Sequence, residues 1–254
     1  MYLCIVGFNA SYYNMLLYIM NKKLRFLLIF LLLYYNIFVN IYYSENYTTN
    51  YIPKIIHQTA PSDKSKWKED WHTCQKTWLT LYPEPEYTYR MWNDDDLDNL
   101  IKNDFDWYYD IYKSYKKNIQ RIDIARYFIL YKYGGIYADM DYMCMKNFYD
   151  ILPPDKVSIS ESPYKNIEFL QNALMASNIN NEFFLKVIEE AKNRTDAEDV
   201  LFSTGPVLVS NVYLQNKDMV NALPSNLFNP SKINSEEFNH PNVIAKHFFT
   251  KSWD

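Results

Sequence analysis

Tyr133-Gly134-Gly135-Ile136-Tyr137-Ala138-Asp139-Met140-Asp141 is the stretch on which the fold turns. A helix-like run ends in two glycines, a short apolar strand follows, and two aspartates stand one residue apart at the strand's end. Glycine is the residue that ends a helix with positive φ and lets the backbone turn tightly. Ile136-Tyr137-Ala138 then reads as a short buried strand. Carboxylates at that point stand on a rigid element, at the end of a sheet where α/β folds bind ligands. Such a pair suits a divalent cation carrying a diphosphate. Asp-x-Asp alone is weak, because Asp94/Asp96, Asp96/Asp98 and Asp104/Asp106 repeat it in what read as acidic turns or helix starts. The Gly-Gly-strand context is what separates Asp139/Asp141.

Working upstream, Asn118–Tyr133 is the strongest helical pattern, with Ile122, Ala125 and Ile129 on one side. Asp123 and Arg126 lie three apart on it and are side-chain neighbours. An acid that orients a sugar hydroxyl and an arginine near phosphates would sit well there, since guanidinium is planar, always charged and matched to phosphate. The competing reading is an ordinary surface ion pair worth about 0.3 kcal/mol. Ile52-Pro53-Lys54-Ile55-Ile56-His57-Gln58-Thr59 reads as a strand with proline at its start, where a missing N–H is tolerated. Trp67, Trp71, Cys74, Trp78 and Leu81 form one apolar helical stripe from about Ser62, and the tryptophans read as core. Residues 87–92 read as a second strand, and Asp94 as the N-cap of a short acidic helix.

Downstream, residues 157–161 and 172–177 are strand-like, a helix covers 181–192, and Val243-Ile244-Ala245 is apolar before His247. Strands alternate with helices, which predicts an α/β fold with a largely parallel sheet. With neither repeat nor linker, residues 52–254 form one domain.

The chain has 254 residues and a net charge of -4, with no basic stripe to suit nucleic acid. Only 4 glycines stand against 25 tyrosines, so each glycine carries more information than usual. The 3 cysteines, Cys4, Cys74 and Cys144, show no CxxC spacing; Cys74 and Cys144 could pair or remain free core thiols. Residues 26–43 are almost wholly apolar or aromatic, preceded by Lys22, Lys23 and Arg25. The length is near the lower limit for a spanning helix, and the basic flank predicts N-in, C-out topology. That pattern predicts a cytosolic segment over 1–25, a single-pass signal anchor over 26–43, a stem over 44–51 and a domain in the secretory lumen. A cleaved signal peptide is the alternative, although no small-x-small cleavage site follows. Met20-Asn21-Lys22-Lys23 resembles a natural n-region, so the start could be Met20 rather than Met1.

Taken together, the Ile52–Thr59 strand, Asp123-x-x-Arg126-Tyr127-x-x-Leu130-Tyr131-x-Tyr133-Gly134-Gly135-Ile136-Tyr137-x-Asp139-x-Asp141, Thr204-Gly205-Pro206, and His247 with Ser252-Trp253 resemble glycosyltransferase family 32. That family holds initiation-type α-1,6-mannosyltransferases, sphingolipid mannosyltransferases and α-1,4-galactosyltransferases. Its core resembles that of the large clostridial glucosylating toxins. The resemblance covers nearly everything from residue 52 onward. It implies a GT-A domain, Rossmann-like and specific for nucleotide-diphospho-sugars, behind the transmembrane helix. It also implies Mn²⁺ or Mg²⁺ as cofactor and transfer with retention of configuration. The donor would be GDP-mannose first, UDP-galactose or UDP-glucose next, and the acceptor a glycan or glycolipid in the Golgi or endoplasmic reticulum lumen.

By position, the resemblance implies that Ile56, His57 and Gln58 line the nucleotide pocket and Tyr137 stacks near base or ribose. Asp123 and Arg126 would hold the donor sugar and phosphate oxygens. Asp139 would contact ribose, sugar or metal-bound water, and Asp141 would ligate the metal. His247 is a candidate third ligand, and Ser252 and Trp253 would close over the diphosphate. In ending just after Trp253 the chain departs from many relatives whose further C-terminal elements carry acceptor contacts, which leaves the acceptor open. The alternative is a catalytically inactive, membrane-anchored glycan-binding protein that keeps the same fold.

Overall fold

The computed structural model describes residues 30–35, 51–164, 169–231 and 235–250. The chain divides into two units, Met1–Tyr47 and Thr48–Asp254. In the first, residues 30–35 are helical with exposed apolar side chains. The rest of the expected anchor over 26–43 lies outside the described residues, among which no helix is long and apolar enough to cross a membrane.

The second unit is built on a six-stranded sheet. Its strands are β1 (Ile55–Thr59), β2 (Thr88–Trp92), β3 (Gly135–Ala138), β5 (Val157–Glu161), β6 (Leu170–Ser177) and β7 (Val220–Leu223), in the order β2-β1-β3-β6-β5-β7. β4 (Tyr142–Cys144) and β8 (Ala245–His247) make a separate two-stranded ribbon. The helices are α1 (Glu69–Leu81), α2 (Asp94–Asp104), α3 (Asp106–Ser114), α4 (Asn118–Tyr133), α5 (Glu182–Lys192), α6 (Val200–Ser203), α7 (Pro206–Gln215) and α8 (Ser225–Phe228).

The α/β class is as expected, but the sheet is mixed. β1 runs parallel to β2 and β3, whereas β6 is antiparallel to both β3 and β5, and β5 is parallel to β7. A strand buried on both faces reads as a continuous apolar run whichever way it points. All eight residues of β6 are buried, so its composition carried no direction.

Side chains alternate across the sheet into two cores. Tyr137, Met175, Val157 and Ile159 pack under α4, α5 and α7, while Ile136, Ala138, Leu174 and Ala176 pack toward Trp78, Tyr82, Tyr142, Phe148 and Phe228. α4 is buried on nearly every side, including Gln120, Asp123 and Arg126, so it crosses the centre of the domain.

Two boundaries differ from the sequence reading. α1 begins at Glu69, not near Ser62, with Trp67 ahead of it beside a short 3₁₀ turn at Lys64–Lys66. α2 is capped by Asn93 rather than Asp94. Asn93 Oδ1 accepts from the N–H of Asp95 and Asp96, and Asp96 Oδ2 accepts from the N–H of Asn93, a reciprocal capping box. Cys74 and Cys144 are free buried thiols.

Gly134 ends α4 at φ 60, donating its N–H to Leu130 O at 2.9 Å. Gly135 follows at φ 87, and a Cβ there would lie 2.5 Å from Ile55 O. Left-handed strain and a backbone clash coincide at Gly135. Gly135→Ala is therefore expected to cost more than about 3 kcal/mol. Urea unfolding checks it, and a loss below about 1 kcal/mol would show that the turn relaxes freely.

Candidate active site

β1, β2 and β3 are parallel neighbours, so their carboxyl ends lie on one edge of the sheet. Thr59-Ala60-Pro61 at the end of β1, Trp92 and Asp94 at the end of β2, and Asp139-Met140-Asp141 after β3 line one cavity of about 610 Å³ there. The crevice outside the carboxyl ends of such strands is where open α/β sheets bind ligands.

Asp139 is half-buried. Its N–H donates to Ala173 O at 2.9 Å, and Gln58 Nε2 donates to its carbonyl at 3.1 Å. Its Oδ1 accepts from Tyr137 Oη at 2.7 Å and meets Arg126 Nη1 at 3.2 Å. Burial pushes its carboxyl up, Arg126 opposes that, and the Asp141 charge adds to it. Asp141 is buried, with Oδ2 accepting from the N–H of Thr250 at 2.8 Å and from Thr250 Oγ1 at 2.9 Å. His247 Nε2 lies 3.3 Å from Asp141 Oδ1. Burial pushes the Asp141 carboxyl up, but the His247 charge and hydrogen bond and the Thr250 hydrogen bonds outweigh it. The group is held well below the usual carboxylate range.

β8 brings His247 to this point by pairing it with Tyr142 on β4, the two rings stacking at 5.0 Å. Phe249 turns back at φ 50, in the left-handed region, and so returns Thr250 to Asp141. Trp71 Nε1 donates to Thr250 Oγ1 at 3.1 Å from α1.

Asp123 and Arg126 line the same cavity. Arg126 Nη2 meets Asp123 Oδ1 at 3.0 Å, and its Nη1 donates to Asn172 O at 3.0 Å. Asp123 also accepts from Asn172 Nδ2 and Thr204 Oγ1, each at 3.0 Å. Burial pushes the Asp123 carboxyl up to about 6 against the pull of Arg126. Among the described residues Arg126 Nε has no hydrogen-bond partner.

Asp139, Asp141 and His247 each offer a ligand atom within 4.8 Å of the other two. Two carboxylates and an imidazole make a mixed oxygen–nitrogen set that suits a divalent first-row ion, and Mg²⁺ would use the carboxylates alone. The two close carboxylates repel, and a cation between them would relieve that cost. The residues fit the expected metal.

The structure brings Asp123, Arg126, Asp139, Asp141 and His247 together at one cavity. Ile56, His57, Gln58 and Tyr137 are instead buried beneath the cavity, and the lining falls to Thr59, Ala60 and Pro61. Side chains in mid-strand point into the cores on either face, and on β1 and β3 it is residues at or past the strand end that reach the crevice. Tyr137 supports Asp139, and its Oη also bonds Thr59 Oγ1 at 2.9 Å. His57 Nε2 meets Gly134 O at 3.0 Å, and its Nδ1 accepts from Trp92 Nε1 at 3.1 Å. Ser252 and Trp253 lie outside the described residues. Trp78 is core as expected, whereas Trp71, also buried, lines the cavity. Gln171, Asn172 and Thr250 were not foreseen as site residues. Gln171-Asn172 left one trace, a polar pair opening an otherwise apolar strand.

Burial lowers the His57 pKa from 6.5 to about 3. A folded value below the unfolded one gives stability that is complete above pH 6.5 and lost as pH falls toward 3. The advantage of wild type over His57→Gln should therefore shrink by about 2 kcal/mol between pH 7 and pH 5. Urea midpoints at the two pH values check this, and a pH-independent difference would refute it.

The site is thus an acidic pair and a histidine at the crevice of the parallel strands of an α/β domain. Residues 68–159 match the family model described as "Glycosyltransferase sugar-binding region containing DXD motif". The chain is 36% identical over 171 residues to the mannosyl phosphorylinositol ceramide synthase CSH1 of Saccharomyces cerevisiae, covering 65% of this chain and 43% of that protein. It is 34% identical over 167 residues to the inositol phosphoceramide mannosyltransferase 3 of Schizosaccharomyces pombe, covering 64% and 45%. With the initiation-specific alpha-1,6-mannosyltransferase of S. cerevisiae it shares 33% over 100 residues, 37% and 21% of the two chains. Among solved structures, the PaToxG glycosyltransferase is similar with a TM-score of 0.49 at 19% identity, over 65% of this chain and 70% of that one. The family model and the curated relatives bear out the resemblance to glycosyltransferase family 32. The matched region spans less than half the length of each of these three curated relatives.

Proposed function

We propose that this chain is the catalytic region of a GT-A-type retaining glycosyltransferase that moves a hexose from a nucleotide-diphosphate sugar to an acceptor hydroxyl. Mannose from GDP-mannose is the first expectation, with UDP-galactose or UDP-glucose next. The observation that carries the reading is Asp139, Asp141 and His247 within 4.8 Å of one another, in a cavity also lined by Asp123 and Arg126. The names of the relatives support a mannosyl donor and an inositol phosphoceramide or glycan acceptor.

In this reading Asp139, Asp141 and His247 would hold Mn²⁺, or the two carboxylates alone Mg²⁺, and the ion would supply Lewis-acid neutralisation of the departing diphosphate. Asp123 accepts from Asn172 and Thr204 and is therefore fixed in place, as suits a group that orients a sugar hydroxyl. Arg126 holds permanent positive charge at the cavity wall, where negative charge develops as the sugar–phosphate bond breaks. Met140 and Ala173 lend the wall apolar surface, which limits water around the reacting carbon. Attack by the acceptor hydroxyl from the leaving-group face then retains configuration. Residues 26–43 anchor the region as a type II membrane protein, with the domain in the Golgi or endoplasmic reticulum lumen.

Thermal denaturation of the full chain in detergent with GDP-, UDP- and ADP-sugars, with and without Mn²⁺, tests the reading. A ligand at 100 times its Kd adds about 2.7 kcal/mol of stability. Stabilisation by one nucleotide sugar, dependent on metal, and release of its nucleotide are expected. Absence of stabilisation by every nucleotide sugar would favour a glycan-binding protein instead.

A further inference from the structure

Behind the metal-site candidates runs a chain of amides. Asn229 is fully buried, and its Nδ2 donates to Glu161 O at 3.2 Å and to Gln171 Oε1 at 2.8 Å. The same Gln171 Oε1 lies 3.3 Å from His247 Nδ1. A carboxamide oxygen only accepts hydrogen bonds. The proton of this contact therefore belongs to Nδ1, and in neutral imidazole the lone pair then falls on Nε2. Nε2 faces Asp141 Oδ1, also an acceptor, at 3.3 Å, so without a cation it carries a proton as well, and a cation bound there would take that proton's place while Nδ1–H stays on Gln171.

Each link of the chain is fixed by the one before it. Reversing the Asn229 amide would set its oxygen against two acceptors, Glu161 O and Gln171 Oε1. As placed, Asn229 Oδ1 makes no hydrogen bond among the described residues. A buried carbonyl left unpaired costs about 1–3 kcal/mol, so the two bonds made by Nδ2 outweigh a real cost. With Asn229 held, reversing Gln171 would set amide nitrogen against amide nitrogen.

We propose that Gln171, backed by Asn229, is a positioning residue that holds His247 in its Nδ1–H tautomer and presents the Nε2 lone pair to a divalent cation between Asp139 and Asp141. This rests on the reading of His247 as a ligand given above. His57 offers the opposite case within the same domain. Its Nε2 donates to Gly134 O and its Nδ1 accepts from Trp92, so it carries the Nε2–H tautomer.

Two measurements test the proposal. Long-range ¹H–¹⁵N spectra of the imidazoles in the protein saturated with Zn²⁺, a diamagnetic divalent probe, read the tautomer directly. His247 is expected as Nδ1–H and His57 as Nε2–H, with assignment by His57→Gln and His247→Gln. An Nε2–H form of His247 overturns the proposal. Mn²⁺ affinity, followed by the electron paramagnetic resonance of the free ion, reads the consequence. Gln171→Met removes the acceptor and should weaken Mn²⁺ binding about 10–100-fold. Gln171→Glu keeps an acceptor and should stay within about threefold of wild type or bind more tightly. Equal affinity of Gln171→Met and wild type, or equal loss in both variants, overturns the positioning role. His247→Ala separates the two readings: if it leaves Mn²⁺ affinity unchanged, the ligand assignment itself falls, and the proposal with it. If Gln171→Met does not fold, the tautomer spectrum of the wild type and the affinity of Gln171→Glu decide.

Discussion

Asp141→Asn is expected to lower sugar transfer by at least about 10³-fold while leaving the chain folded. The substitution removes the anionic ligand on which His247 and Thr250 both converge. The amide keeps the shape: its oxygen can still accept from Thr250, and its nitrogen can face His247 Nε2. What is lost is charge. Hydrogen bonds to an ionised acceptor are about twice as strong as neutral ones. A stability loss of about 1–3 kcal/mol is therefore expected, smaller than the margin of an ordinary domain. Circular dichroism with a urea titration establishes folding, and nucleotide release from the donor sugar with Mn²⁺ establishes activity. Transfer within tenfold of wild type would remove Asp141 from the metal site.

Arg126→Met should be the most destabilising single change at the site, by about 3–5 kcal/mol. Arg126 bridges Asp123 and Asp139 and donates to Asn172 O, and it is itself buried. Removing it strands two carboxylates that burial already pushes up. The sign with pH follows. A folded value above the unfolded one gives stability that is complete at low pH and is lost as pH rises through the folded value. Without Arg126 both carboxyls rise further, so the deficit should be larger at pH 8 than at pH 5, where they take up protons. Urea midpoints of both proteins at the two pH values decide it. A deficit below about 1 kcal/mol, or one independent of pH, would show that water reaches and screens the pair.

Much of this site was legible because its motif is local. The helix from Asn118 to Tyr133, the Gly134-Gly135 turn and the strand to Ala138 form one covalent run that delivers Asp123, Arg126, Asp139 and Asp141 to one place. Periodicity reads such a run directly, since 3.6- and 2-residue repeats are properties of the chain alone. The assignment of Ile56, His57, Gln58 and Tyr137 to the pocket went astray for the complementary reason. A resemblance carries position in the sequence, whereas lining a cavity depends on where along its strand a residue stands and what packs over it. His57 stabilises the fold from beneath Gly134, and Thr59 to Pro61 meet the solvent in its place.

Residue order by itself determined the α/β class, the helix and strand carrying the acidic motif, the glycine turn between them and the pairing of Asp123 with Arg126. All of these follow from contacts within a few residues. Tertiary structure alone decided the mixed direction of the sheet, the seating of Thr250 on Asp141 across a sequence separation of 109 residues, and the link from Asn229 through Gln171 to His247. Those choices join segments that no local pattern relates. Strand direction and long-range hydrogen bonds are settled only when the two cores close and every buried polar group must find its partner.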